Sequence, residues 1–176
     1  GGSDRWRRKI TGEPSTLTDP TGQYLMMYYT SHDFYGPEDR VNYRGHQMCL
    51  ARAPLSRAHE PSAWVKYYNG SFSQAGMWGK DTPVLASPVR DVDAINGHAT
   101  YIPALKKFVM VYLMNSAYEV QYPQVPIQYS GLYLAKSSDG INWPLAERVQ
   151  LWKVKTIPLF DQEVVLHPTL VITDQS

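Results

Sequence analysis

Two stretches of this chain recur at a fixed distance. QYLMMYY, Gln23 to Tyr29, is echoed by KFVMVYL, Lys107 to Leu113, and MCLARA, Met48 to Ala53, by LYLAKS, Leu132 to Ser137. Both echoes sit at an offset of 84 residues, from Tyr24 to Phe108 and from Leu50 to Leu134. An offset shared by separate segments points to a duplicated supersecondary unit, in which one position of each unit does related work.

The unit reads as all-β. Tyr, Trp, Val, Ile and Thr are frequent, Pro and Gly punctuate at short intervals, and few segments show helical spacing, which favours short antiparallel strands. The first unit, residues 12–90, predicts strands near Pro14 to Leu17, over Gln23 to Thr30 and over Gln47 to Ala53, with an outer element after Trp64. The second, 91–160, predicts His98 to Pro103, Lys107 to Leu113, Gly131 to Ser137 and Glu147 to Trp152, and a third begins within 161–176, at His167 to Ile172. Four-stranded antiparallel units in tandem are the pattern of β-propeller blades. Two blades and a fraction cannot close a ring, so the expectation is a partial propeller completed by further blades or by association into a homo-oligomer; the alternative is an ordinary β-sandwich. Gly1-Gly2-Ser3, with no initiating Met, reads as a processed end that leaves the native amino terminus missing.

Charge and cysteine content narrow the partners. With 17 Lys+Arg against 16 Asp+Glu the net charge is +1, which gives no long-range field to steer nucleic acid or an anionic membrane, and Arg5, Arg7, Arg8 and Lys9 read as a solvated arm. No apolar run approaches the length needed to cross a bilayer. The lone Cys49 reads as a strand filler, excludes an intrachain disulfide and neither requires nor forbids secretion; a secreted or periplasmic setting is favoured.

Aligning the opening strands of the units brings Glu13, His98 and His167 into register, with a one-residue slip relative to the longer repeat. If the first strand of each unit lines a central channel, these three converge as a competent catalytic set. Asp91, Asp93, Asp161 and Glu163 precede the two histidines at the expected channel mouth, where they would bind sugar hydroxyls or simply be solvated. Trp78, in the Gly-flanked run Gly76-Met77-Trp78-Gly79, is the best stacking platform, whereas Trp64, Trp143 and Trp152 read as packing residues.

The second strand ending Tyr28-Tyr29-Thr30-Ser31, the Leu-Ala-Arg and Leu-Ala-Lys third strands, and the turn Ser137-Ser138-Asp139-Gly140-Ile141-Asn142-Trp143 resemble the five-bladed propeller glycosidases of the arabinanase, xylosidase and fructosidase superfamily, glycoside hydrolase families 43, 32 and 117. That resemblance implies a hydrolase of poly- or oligosaccharides. It implies that Glu13, ahead of Pro14, is the general acid, that His98 in Asn96-Gly97-His98 faces a channel calcium ion or its waters, and that His98 or His167 is itself an acid candidate. No other cofactor is implied.

Glycoside hydrolysis needs a protonated carboxyl and a second carboxylate on the opposite face of the bond. Glu13 fits the first and no Asp here holds the second position. A non-catalytic propeller that binds carbohydrate or protein, and a different chemistry using His98 and His167 as metal ligands, therefore stay open.

Overall fold

The computed structural model describes residues 10–32, 46–88, 92–115, 131–153 and 168–171. They form two antiparallel sheets, one of five strands in the order β1-β2-β3-β4-β5 and one of four in the order β6-β7-β8-β9. The first comprises β1 (Ile10–Thr18), β2 (Tyr24–His32), β3 (Gln47–Pro54), β4 (Val65–Tyr68) and β5 (Ser71–Ala75). The second comprises β6 (Asp93–Ile102), β7 (Lys107–Asn115), β8 (Gly131–Ser137) and β9 (Arg148–Lys153). Helical structure among the described residues is confined to short 3-10 turns, and no helix there is long and apolar enough to cross a membrane. The sheets are not closed into a ring, and the first carries a fifth strand, β5, that the sequence pattern did not predict. Of the third expected strand, His167 to Ile172, residues 168–171 are described and form no strand, and its two end residues lie outside the described residues.

The strand sequences explain the layering. On β2 and β3, Met26, Tyr28, Met48 and Leu50 face the second sheet and join Phe108, Met110, Tyr112 and Ala135 in one core, while Met27, Tyr29, Cys49 and Ala51 occupy the other face. β7 is buried on both faces from Phe108 to Met114, which is why its sequence is a near-continuous apolar run and not an alternating one.

The register refines the repeat. Gly12 pairs with Thr30 and Ser15 with Tyr28, so β1 holds one extra residue; Ile95 pairs with Leu113 and His98 with Val111, so β6 holds the same bulge. Glu13 and Asn96 sit in these bulges with φ of 56° and 55°, so the first two strands of each sheet match at an offset of 83. Tyr28 pairs with Leu50 and Val111 with Leu134, so the third strands match at 84. An odd offset on β2 exchanges the two faces. The first sheet therefore packs on the second through non-equivalent faces, the head-to-tail arrangement that an additional unit can continue.

The sheets are locked by the turn after β8. Tyr28 Oη donates to the Gly140 carbonyl at 2.6 Å, Trp143 Nε1 donates to the same oxygen at 3.2 Å, and the two rings meet edge to face at 6.0 Å. Asp139 builds the turn by accepting from the backbone N–H groups of Ile141 at 2.8 Å and Asn142 at 2.7 Å. Burial opposes ionisation of Asp139, but these bonds, with those from the Asn142 and Ser137 side chains, hold its carboxyl below the ordinary value of 3.8.

Tyr28→Phe should cost only about 1 kcal/mol, because Trp143 still satisfies the carbonyl. Gly140→Ala should cost more, roughly 2–3 kcal/mol, since Gly140 has φ of 73° and a Cβ there would lie 2.7 Å from Tyr28 Oη. Denaturant unfolding of the two variants checks the order. Because the folded carboxyl of Asp139 is depressed, its contribution is complete above the ordinary carboxylate range and is lost as pH falls through the folded value. Asp139→Asn should flatten that acid limb of the stability profile; an unchanged limb counts against it.

Candidate functional site

The two bulges bring their residues to one place. β1 and β6 pack side by side, and the left-handed backbone at Glu13 and Asn96 re-aims both side chains out of the ladder. Pro14 is accommodated because β1 is an edge strand and the bulge removes the need for its missing N–H. With its amide oriented to donate, Asn96 reaches both oxygens of Glu13, Oε1 at 2.7 Å and Oε2 closer still. Thr30 Oγ1 donates to Glu13 Oε2 at 3.1 Å and accepts from the Asn96 backbone N–H at 3.3 Å. Asn96 and Thr30 are buried, while Glu13 keeps partial exposure. Gly97 lets β6 come this close, since a Cβ there would lie 2.8 Å from both Met110 Sδ and Met48 Cε. The result is a positioned, partly exposed carboxylate held by two neutral donors.

The sequence-predicted residues divide around this cluster. By register the counterpart of Glu13 is Asn96, and His98 corresponds instead to Ser15. Both of these take part in strand packing: Ser15 Oγ accepts from the Ala99 N–H at 3.2 Å, and His98 Nδ1 accepts from the Leu170 N–H at 3.4 Å. Asp93 is buried and not at a solvated mouth. Its Oδ1 accepts from the His46 backbone N–H at 2.6 Å and lies 3.2 Å from His46 Nδ1, fastening the start of β6 to the residue before β3. Trp78 is 87% exposed with φ of 62°, presented on the loop after β5. Asp91, Glu163 and His167 lie outside the described residues. Among the described residues no three His, Cys, Asp or Glu side chains gather closely enough to hold a metal ion.

Sequence reasoning missed a second feature beside Glu13. A cavity of about 460 Å³, bounded by Gly12 and Pro14, opens over the outer face of the first sheet, against Met27, Tyr29, Ala51 and Trp64. At its floor Lys66 lies 3.5 Å from Asp81, with side-chain exposures of only 6% and 2%. Tyr29 Oη donates to Asp81 at 2.9 Å, and Lys66 Nζ donates to the Gly79 carbonyl at 3.3 Å. No spacing signal links position 66 on a strand to position 81 on a loop. At the repeat offsets, Met27, Tyr29 and Ala51 are the counterparts of Met110, Tyr112 and Ala135, the residues with which the second sheet receives the first. The same Met, Tyr and Ala recur at all three places.

Comparison of the sequence with protein-family models finds no match, and comparison with curated proteins finds none. Among solved structures, an N-acetylgalactosamine deacetylase from F. plautii, in complex with blood group B trisaccharide, is similar over 77% of this chain at 15% identity and a TM-score of 0.28. This chain spans about half of that protein, 51% of its length. A likeness this shallow fixes neither fold nor function.

Lys66→Ala should destabilise the fold by about 3–5 kcal/mol, because it removes the buried cation that lies against the Asp81 carboxylate. Adding Asp81→Asn to that variant should recover part of the loss. Equilibrium unfolding of both proteins tests the coupling, which is refuted if the two losses simply add.

Proposed function

We propose that the chain is part of a carbohydrate-cleaving β-propeller protein of the arabinanase, xylosidase and fructosidase type, in which the first strands of the units line an axial site and Glu13 is the acid. The observation that carries this reading is the pair of matched bulges that present Glu13 and Asn96 to each other from the first strands of the two sheets. The head-to-tail stacking supports the propeller, because it leaves on the first sheet the receiving set of Met27, Tyr29 and Ala51 for a further unit.

The chemistry follows from the carboxyl and its partners. A general acid gives its proton to the leaving oxygen and then stands as a carboxylate. Asn96 carries both a donor and an acceptor on one amide, so a half-turn of that group serves Glu13 in either protonation state. Thr30 limits the carboxyl's rotation. The cluster supplies one carboxylate; the opposing one would come from a further unit, as would additional subsites for the chain of sugars. His98 and His167 remain second candidates for acid chemistry, and exposed Trp78 is a platform for a sugar face. A non-catalytic carbohydrate-binding or protein-binding propeller is the alternative, favoured by the single carboxylate.

Hydrolysis of aryl furanosides and pyranosides, measured on the wild type and on Glu13→Gln with the further unit that supplies the opposing carboxylate present, separates these readings. The catalytic reading expects a loss of at least about 100-fold in kcat in the variant, within the range for removal of a positioned acid. Asn96→Ala should lower kcat less, about 10-fold, and shift the pH profile. Sugar binding without turnover by the wild type favours the alternative, and activity unaffected by Glu13→Gln removes Glu13 from the mechanism.

A further inference from the structure

A second cavity, distinct from the Glu13 cluster, lies on the second sheet's inner face towards its outer strands. It measures about 530 Å³, within the range of small-ligand sites, and its wall includes Tyr112, Tyr133, Arg148 and Gln150. Two of these residues stand out by what they lack. Tyr112 is 0% exposed, yet its hydroxyl has no hydrogen-bond partner among the described residues. Buried hydroxyls are nearly always paired, since desolvating one without a partner costs about 1–3 kcal/mol. Burial pushes the phenol up to about 12, and Arg148, by its charge and its side-chain contact with the oxygen, opposes that shift.

Arg148 is the second such residue. Its Nε and one terminal nitrogen donate to the Trp143 carbonyl at 3.2 and 2.6 Å, and the other terminal nitrogen donates to the Ala86 carbonyl at 2.6 Å. These bonds fix the plane of the guanidinium and leave two of its five N–H groups unused. Carbonyls orient a cation without neutralising it, and no carboxylate pairs with Arg148 among the described residues. The Tyr133 ring, tilted 32° from that of Tyr112 at 5.6 Å, adds a flat apolar wall.

We propose that this cavity binds a small carboxylate carried on a ring, with the carboxylate taken by Arg148 and the Tyr112 hydroxyl and the ring laid against Tyr133. A fixed guanidinium and a hydroxyl donor match the planar acceptor pair of a carboxylate, and a neutral sugar would leave the cation uncompensated. The two sources of such a group are an acidic sugar and an aromatic acid. The site stands independently of the role given to Glu13.

The test is calorimetric titration of the full chain with glucuronate, galacturonate and benzoate, beside glucose and the methyl ester of glucuronate. Binding of at least one acid at one equivalent, absent with glucose and the ester, is the expected result, and the acid that binds identifies the source. Tyr112→Phe should weaken that binding about 10-fold while leaving the thermal midpoint of the ligand-free protein unchanged or higher, because it deletes only an unpaired hydroxyl. The proposal is overturned if none of the acids binds, if the ester binds equally well, or if Tyr112→Phe binds as the wild type does. It is overturned as well if that variant loses stability without ligand, which would show that the hydroxyl already has a partner in the folded protein.

Discussion

The rest of this molecule depends on the packing of one sheet on the other, a packing that the contact between the Tyr28 hydroxyl and the Gly140 carbonyl pins at one point. That contact joins the second strand of one sheet to the turn after the third strand of the other, 112 residues away. The tyrosine crosses the core to reach it, and Trp143 closes over the same oxygen. The bond is buried, so water does not compete for it. It ties the two sheets together across the core beside which β1 and β6 also pack against each other. Asp139 acts one step back, holding the turn in the shape that points the carbonyl at Tyr28.

Given that alignment, a local irregularity becomes a site. A bulge in a single strand would merely turn one side chain out of the ladder. Matched bulges in neighbouring strands turn a carboxylate and an amide toward each other, and Thr30 from the next strand completes the hydrogen bonding. Left-handed backbone at a glutamate is costly, of order 1–3 kcal/mol, and such strain persists where the surroundings over-determine it. Here Pro14 on one side and the Asn96 contact on the other supply that constraint.

The two faces of the first sheet behave differently. One is filled by the second sheet, whereas the other carries a buried Lys66 and Asp81 pair beneath a cavity. A buried ion pair adds little net stability over apolar packing, but it tolerates loss of one partner poorly, which makes it a device for specifying one arrangement. Beside it lie the same residue types, Met, Tyr and Ala, as those with which the second sheet meets the first.

The sequence by itself determined most of the strands, though not β5, together with the duplication and the residue types at the core, because these rest on local periodicity and on side chains that repeat at a readable spacing. It also singled out Glu13 and the Asp139 turn. It misaligned Glu13 with His98 by two residues, because the apolar repeat reads at 84 and the slip into the first strands reads as 85, whereas the strand register gives 83. It placed Asp93 at a solvated mouth when the carboxylate is spent on His46. The pairing of Glu13 with Asn96, the burial of Lys66 against Asp81, and the stranded Tyr112 hydroxyl beside Arg148 were decided only by tertiary structure. Each joins residues whose separation along the chain carries no signal, and proximity between such groups exists only once the sheets have stacked.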